Sequence, residues 1–158
     1  MALSGYLTLV GEKQGAINGS VTDKGHEKTI LVVAVDHQVN APFDVTSGAA
    51  TGGHQHQPLV ITKQVDDSSP MLWKALVDAE NMTTWTLGFW RQTVTGAQEN
   101  YYSILLASAR IVGIKMELLN NSYPDLASIP MLEKVAFVYQ SIKWTSPTAA
   151  LSTVGTWA

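Results

Sequence analysis

Residues 59–81, LVITKQVDDSSPMLWKALVDAEN, run a strand pattern, an acidic turn and a helix together without a gap, and no other stretch constrains the fold as tightly. Ser68 or Ser69 can accept a backbone N–H as the N-cap, and Pro70 falls in the first turn, where its missing donor costs little. Asp66 and Asp67 lie near the positive end of the helix dipole. Leu72, Ala75, Leu76 and Ala79 then recur at i, i+3, i+4 and i+7 as one apolar stripe, with Lys74, Asp78 and Glu80 mostly off it. The pattern predicts a helix over residues 69–80, started by Asp67, Ser68, Ser69 and Pro70 and stopped by Asn81.

Elsewhere the strong patterns have period two or are short apolar runs rich in β-branched and aromatic residues, so the chain is mainly β. Leu3, Gly5, Leu7 and Leu9 alternate with Ser4, Tyr6, Thr8 and Val10 in a first strand. Residues 30–35 (ILVVAV) are apolar on both faces and read as a buried strand continuing through His37 to Val39. Residues 59–65 form a third strand leading into the helix. Residues 84–94 place Trp85, Leu87 and Phe89 on one face and Trp90 on the other, and Thr95 and Gly96 turn that strand into a hairpin.

The return, residues 101–120, would span up to ~60 Å at ~3.3 Å per residue, too long for one flat strand. Gly113 is the place for a bend or bulge. A last strand runs from Lys134 to near Trp144, and the Ser-, Thr- and Ala-rich tail from Ser146 reads as loose. Two connections exceed the usual length: residues 11–29, docked by Ile17 and Val21, and residues 40–57, with Phe43 and Val45 as their few anchors. Nothing in composition divides residues 1–158, which read as a single domain.

A chain of 158 residues buries a core without staples, and the lack of cysteine excludes a thiol nucleophile, a Cys-ligated zinc and disulfides. It suits a reducing compartment, with the cytoplasm as the default place of synthesis. The start, MALSGYLTLVGEKQG, has no basic n-region and its apolar run is broken by Ser4, Gly5 and Thr8, so it reads as a strand rather than a signal peptide; export would need another route. No run approaches the ~20 apolar residues of a membrane helix. A net charge of -3, with ten Lys and Arg scattered singly, offers no basic stripe to nucleic acid. Charged residues make up 15%, against a usual ~25%, while hydrophobic residues hold at 46%. Much of the surface is then neutral or apolar, which suits a chain covered by copies of itself.

Four constellations suggest chemistry. His54 and His56 form an H-x-H pair on one face of an extended segment, a start for zinc or copper that needs a third ligand from His26, His37 or a distant carboxylate. Ser68 or Ser69, His56 and Asp67 could be assembled as a triad, yet no G-x-S-x-G elbow or oxyanion loop accompanies them. Asp66 and Asp67 are adjacent and point apart in an extended turn, which suits capping better than acid–base work. Five tryptophans and five tyrosines could stack on sugars or bases, but most lie within strand patterns, where core and interface roles suffice. Gly48, Gly52 and Gly53 make neither a dinucleotide fingerprint nor a P-loop. On these residues alone the chain is a β-rich assembling domain with one packed helix and no catalytic, cofactor or metal residues assigned.

The order of motifs resembles a known family. Residues 53–75 (GHQHQPLVITKQVDDSSPMLWKA), Phe89-Trp90-Arg91 and residues 100–114 (NYYSILLASARIVGI) are similar to the Hcp proteins, which form the inner tube of the bacterial type VI secretion system. The H-x-P-L, K-x-x-D-x-(S)-S-P-x-L and N-Y-Y-x-I-x-L elements keep that family's order over nearly the whole chain. The resemblance implies a small antiparallel β-barrel with one packed helix, closed with five copies into a hexameric ring, and rings stacked into a hollow tube. Its implied partners are itself, the spike and sheath proteins and secreted effectors, with no nucleic acid and no membrane insertion. It also implies assembly in the bacterial cytoplasm, export through the type VI system and no catalysis; some relatives carry toxic C-terminal extensions, and because this sequence runs only a short way past Trp144 no extension domain is expected. The 40–57 loop corresponds to the extended loop that reaches an adjacent subunit or ring, mobile when free, which nominates Asn40, Phe43, Asp44, Val45, Thr46, Gln55 and His56 as contacts. The alternative from another class is a metal-dependent enzyme centred on His54 and His56.

Overall fold

Strands β1 (Ser4–Gly11), β2 (Gly15–Ile17), β3 (Ile30–Asp36), β4 (Val39–Asn40), β5 (Gln55–His56) and β6 (Leu59–Gln64) precede helix α1 (Ser69–Val77). After it come β7 (Asn81–Gln92), β8 (Gln98–Ala107), β9 (Ala109–Glu117), β10 (Leu132–Val138), β11 (Ser141–Ser146) and β12 (Leu151–Thr156). The computed structural model describes residues 3–157. All the strand pairings are antiparallel, and β1, β7, β9, β10, β6 and β3 close on one another in that order as a β-barrel. The mainly-β expectation with one packed helix therefore holds.

Strand β7 is long enough to serve two neighbours on one edge. Asn81 and Met82 pair with β9, while residues 86–92 pair with β8, from which β11 and β12 extend the sheet beyond the barrel. The inward phases of β1, β6, β7 and β10 supply Leu7, Leu9, Leu59, Ile61, Trp85, Leu87, Val135 and Phe137, which fill the barrel. Trp85 meets Phe137 edge-on at 5.5 Å between ring centroids. Helix α1 lies over β9, with Leu72 and Ala75 buried in the same core.

Several expectations are corrected. The 101–120 run is two strands that corner at Ser108, whose φ of 52° leaves the β region. Gly113 does border a bulge: Ala136 pairs with Gly113 and Phe137 with Ile111, leaving Val112 over. The last strand is likewise two, β10 and β11, and the tail is not loose, since residues 151–156 pair along β11 as β12. Strand β3 is not buried on both faces: Leu31 is 39% and Val33 50% exposed. The predicted hairpin at Thr95 and Gly96 is present, with Gly96 at φ 84°. In the 11–29 connection Ile17 is buried and paired to β1, and His26 stacks on Tyr6 at 4.0 Å.

The helix stops earlier than predicted. Val77 is its last residue, Asn81 already belongs to β7, and Ala79 of the expected stripe is exposed. Ala79 donates to the Leu76 carbonyl and Glu80 to the Ala75 carbonyl, the bonding of a Schellman turn. Ala79 adopts φ 50°, the left-handed conformation that glycine takes most readily. Ala79→Gly is expected to raise stability by about 0.5–1 kcal/mol and Tm by roughly 1–4 °C, checked by calorimetry at fixed protein concentration. The Glu80 side chain turns inward, where its Oε2 accepts the backbone N–H groups of Lys13 and Gln14. Gly11 makes room for it, because a Cβ there would collide with the carboxylate.

Candidate functional site

The helix-start residues belong to a buried ionic network. Lys63 and Glu133 face each other across β6 and β10 and both point into the barrel wall, 0% and 1% exposed. The Lys63 ammonium donates to Glu133 Oε1, to the Gln64 carbonyl at 2.9 Å and to Ser69 Oγ at 3.2 Å, and it forms an ion pair with Asp66 Oδ1 at 3.0 Å. Ser69 Oγ donates to Glu133 Oε1 at 2.7 Å and accepts the Asp66 N–H at 3.0 Å. All three ammonium hydrogens thus find acceptors, the condition on which a buried charge is tolerated.

This corrects the predicted capping. Ser68 stands at the N-cap position in a helical conformation and makes no side-chain cap bond; its hydroxyl and its N–H both donate to Asp66 Oδ1. Ser69 ties the helix start to Glu133, Asp67 hangs its N–H on Ser20 Oγ at 3.1 Å, and Pro70 sits in the first turn as predicted. The turn needs its Asp and Ser to hold Lys63 more than to cap α1.

The 40–57 loop is a projecting hairpin. Val39 pairs with His56 and Asn40 with Gln55, and Phe43 bridges Ala50 further out. At the tip the Asp44 carboxylate accepts the Thr46 N–H at 2.7 Å and the Ser47 N–H at 3.3 Å, a local turn that needs nothing from the barrel. The segment takes an organised form, a hairpin closed by its own turn. Phe43 is 62% and Val45 90% exposed on it, so neither anchors the hairpin to its own chain. Met116, Leu118, Leu151 and Val154 are further large apolar residues exposed outside the barrel. Charge depletion in the sequence and this apolar exterior are the same fact seen twice.

Both legs of the hairpin meet one phenol. Tyr139, at the end of β10, holds His37 Nε2 and His56 Nδ1 each at 2.8 Å from its hydroxyl. Trp157 packs edge-on to Tyr139 at 4.9 Å and stacks on His56 at 5.7 Å. Burial pushes the Tyr139 phenol up to about 12, so it stays protonated. Burial, and then the neighbouring His56, hold His37 below the ordinary histidine value, with Asp36 partly opposing.

These contacts bear on the two catalytic readings. His54 and His56 do line one groove, beside Trp144 and Val154, but His56 Nδ1 is taken by Tyr139. Among the described residues no three His, Cys, Asp or Glu gather at metal-holding separation. The triad is not assembled: Ser69 joins Glu133 at the start of β10, whereas His56 joins Tyr139 at its far end, about 20 Å along a strand. Tyr139, Lys63 and Glu133 were the residues missed from sequence. Lys63 shares the inward phase of Leu59 and Ile61, and Glu133 that of Val135 and Phe137, a signal of opposite charges on two core phases.

A closed antiparallel β-barrel with one wall-packed helix and a projecting hairpin is the class this geometry defines. The model of the family described as "Type VI secretion system effector, Hcp" matches residues 6–145. The "Major exported protein" of Pseudomonas aeruginosa is 36% identical over 166 aligned positions, covering 99% of this chain and 96% of that protein. Among solved structures, a crystal structure of an Hcp protein superposes with a TM-score of 0.92 at 27% identity, covering 99% of both chains. Hcp1 from E. coli EAEC 042, carrying two tryptophan substitutions, gives 0.88 at 27% identity, covering 99% of this chain and 100% of that one. The secreted protein Hcp3 from Pseudomonas aeruginosa gives 0.79 at 29%, covering 99% of both. The chain belongs to the Hcp family of the type VI secretion system.

Proposed function

We propose that this chain is a structural subunit of the type VI inner tube, acting as one unit from β1 to β12, and that six copies close into a ring whose stacking builds a hollow tube. The observation that carries this reading is the organised hairpin with Phe43 and Val45 exposed at its end, an apolar arm built to be covered by something outside its own barrel. Around the ring the contacts are head-to-tail and closed by rotation; between rings they remain open-ended and propagate. Asn40, Phe43, Asp44, Val45, Thr46, Gln55 and His56 are the proposed contact residues.

The work is mechanical rather than catalytic. The tube is propelled outward with its spike by the sheath, and effectors travel in the lumen, sheltered until delivery. Membership of the family and the name of the 36%-identical exported relative support secretion by this route.

Light scattering of the purified chain, followed by negative-stain imaging of the same fraction, tests the reading. A mass of six chains with annular particles is the expected result. A strict monomer at micromolar concentration would overturn it.

A further inference from the structure

The base of the hairpin contains a device that assembly alone does not require. Tyr139 has one hydroxyl proton and places its oxygen between two imidazole nitrogens, one from each leg. To satisfy both contacts, one ring nitrogen must be bare to accept the phenol proton, while the other ring donates its N–H to the phenol oxygen. The arrangement therefore works with two neutral imidazoles and tolerates one charge. A second proton leaves the phenol hydrogen without an acceptor and sets two cations on one oxygen.

We propose that His37, Tyr139 and His56 form a proton-sensitive latch that holds the 39–56 hairpin against the barrel near neutral pH and releases it in acid. The surrounding charges do not undo this. Asp36 precedes His37 on the β3 leg and favours its protonation, while Arg110 of β9 shares a groove with Tyr139 and opposes added positive charge. His54 lines the groove beside His56 on the β5 leg. Lys143 of β11 lies on the opposite phase from Trp144, the residue of that strand that packs near His37, and Trp157 carries no titrating group.

The sign follows from His37. Its basicity is depressed in the closed arrangement, so the closed form binds fewer protons than the open one. The latch is intact above the ordinary histidine range and is lost as pH falls through and below it. The backbone bond from the Gln57 N–H to the Gln38 carbonyl, 3.0 Å, and the β4–β5 pairing lie directly behind the latch and report its opening.

Hydrogen-exchange mass spectrometry on the full chain at pH 7.5 and pH 5.0, corrected for the intrinsic pH dependence of exchange, reads it directly. Protection of residues 39–57 is expected to fall with acid, approaching about tenfold per pH unit for each proton taken up, while β1 and β7 stay protected. His37→Gln keeps a neutral acceptor for the phenol and is expected to hold the hairpin closed at both pH values. Wild-type protection that does not change, a loss shared by the whole barrel, or a His37→Gln variant as acid-sensitive as wild type would each overturn the latch. If the hairpin also bridges subunits, acid would weaken ring contacts. That consequence rests on the tube reading, whereas the exchange result stands without it.

Discussion

Lys63→Met is expected to lower the free energy of unfolding by about 3–5 kcal/mol, the usual effect of leaving a buried charge without its partner. The substitution preserves most of the stem that packs in the barrel wall and removes only the ammonium. Glu133 is then left 1% exposed, with Oε1 reduced to the Ser69 hydroxyl and Oε2 already without a partner. Asp66, which loses its ion pair with Lys63, sits closer to water and suffers less. Urea denaturation at fixed protein concentration measures the effect. The double variant Lys63→Met, Glu133→Leu is expected to recover most of the loss, since an apolar pair of similar volume does as well as a buried ion pair or better. A single-variant effect below about 1 kcal/mol, or a double variant no more stable than the single, would show that the network is not what holds the helix start to the barrel.

Phe43→Asp with Val45→Asp has the opposite profile: little effect on the fold and a large one on association. Both side chains point to solvent, so stability of the isolated chain should stay within about 0.5 kcal/mol. If a neighbouring subunit covers them, each contributes on the order of 1.5–3 kcal/mol of apolar burial, and replacing both lowers the association constant roughly 100-fold or more. Sedimentation velocity across a concentration series would show rings or stacks in the wild type shifting to smaller species in the variant. Unchanged assembly would remove the hairpin from the contact surface. The exposed apolar residues Leu31, Val33, Met116 and Leu118 would then be the next candidates.

Much of the barrel could be read from local patterns, because a strand in a barrel wall has one wet and one dry face and writes that alternation into the chain. Trp85, Leu87 and Phe89 announced the inner face of β7, and the Pro70 helix start was legible without coordinates. Reading failed where local pattern and tertiary role diverge. The apolar run of β3 suggested two buried faces, yet Leu31 and Val33 face outward, a choice that depends on where β1 and β6 lie. Ser108 gives no local sign of a corner, because a left-handed serine is imposed by the barrel rather than preferred by the residue. The tail beyond Ser146 looked loose, since a short polar strand becomes stable only when its partner β11 supplies the other half of its hydrogen bonds.

Sequence by itself determined the mainly-β class, the helix and its start, the hairpin turn at Gly96 and the family to which the chain belongs. Those are properties of residues near one another in the chain or of motifs whose order survives in it. Only the tertiary structure decided that Lys63 and Glu133 neutralise each other inside the wall, that His56 is bonded to a phenol 83 residues away, and that Phe43 and Val45 stand free. Those outcomes depend on pairings between distant strands: periodicity can mark Lys63 and Glu133 as inward-facing, but it does not say which strand lies beside which.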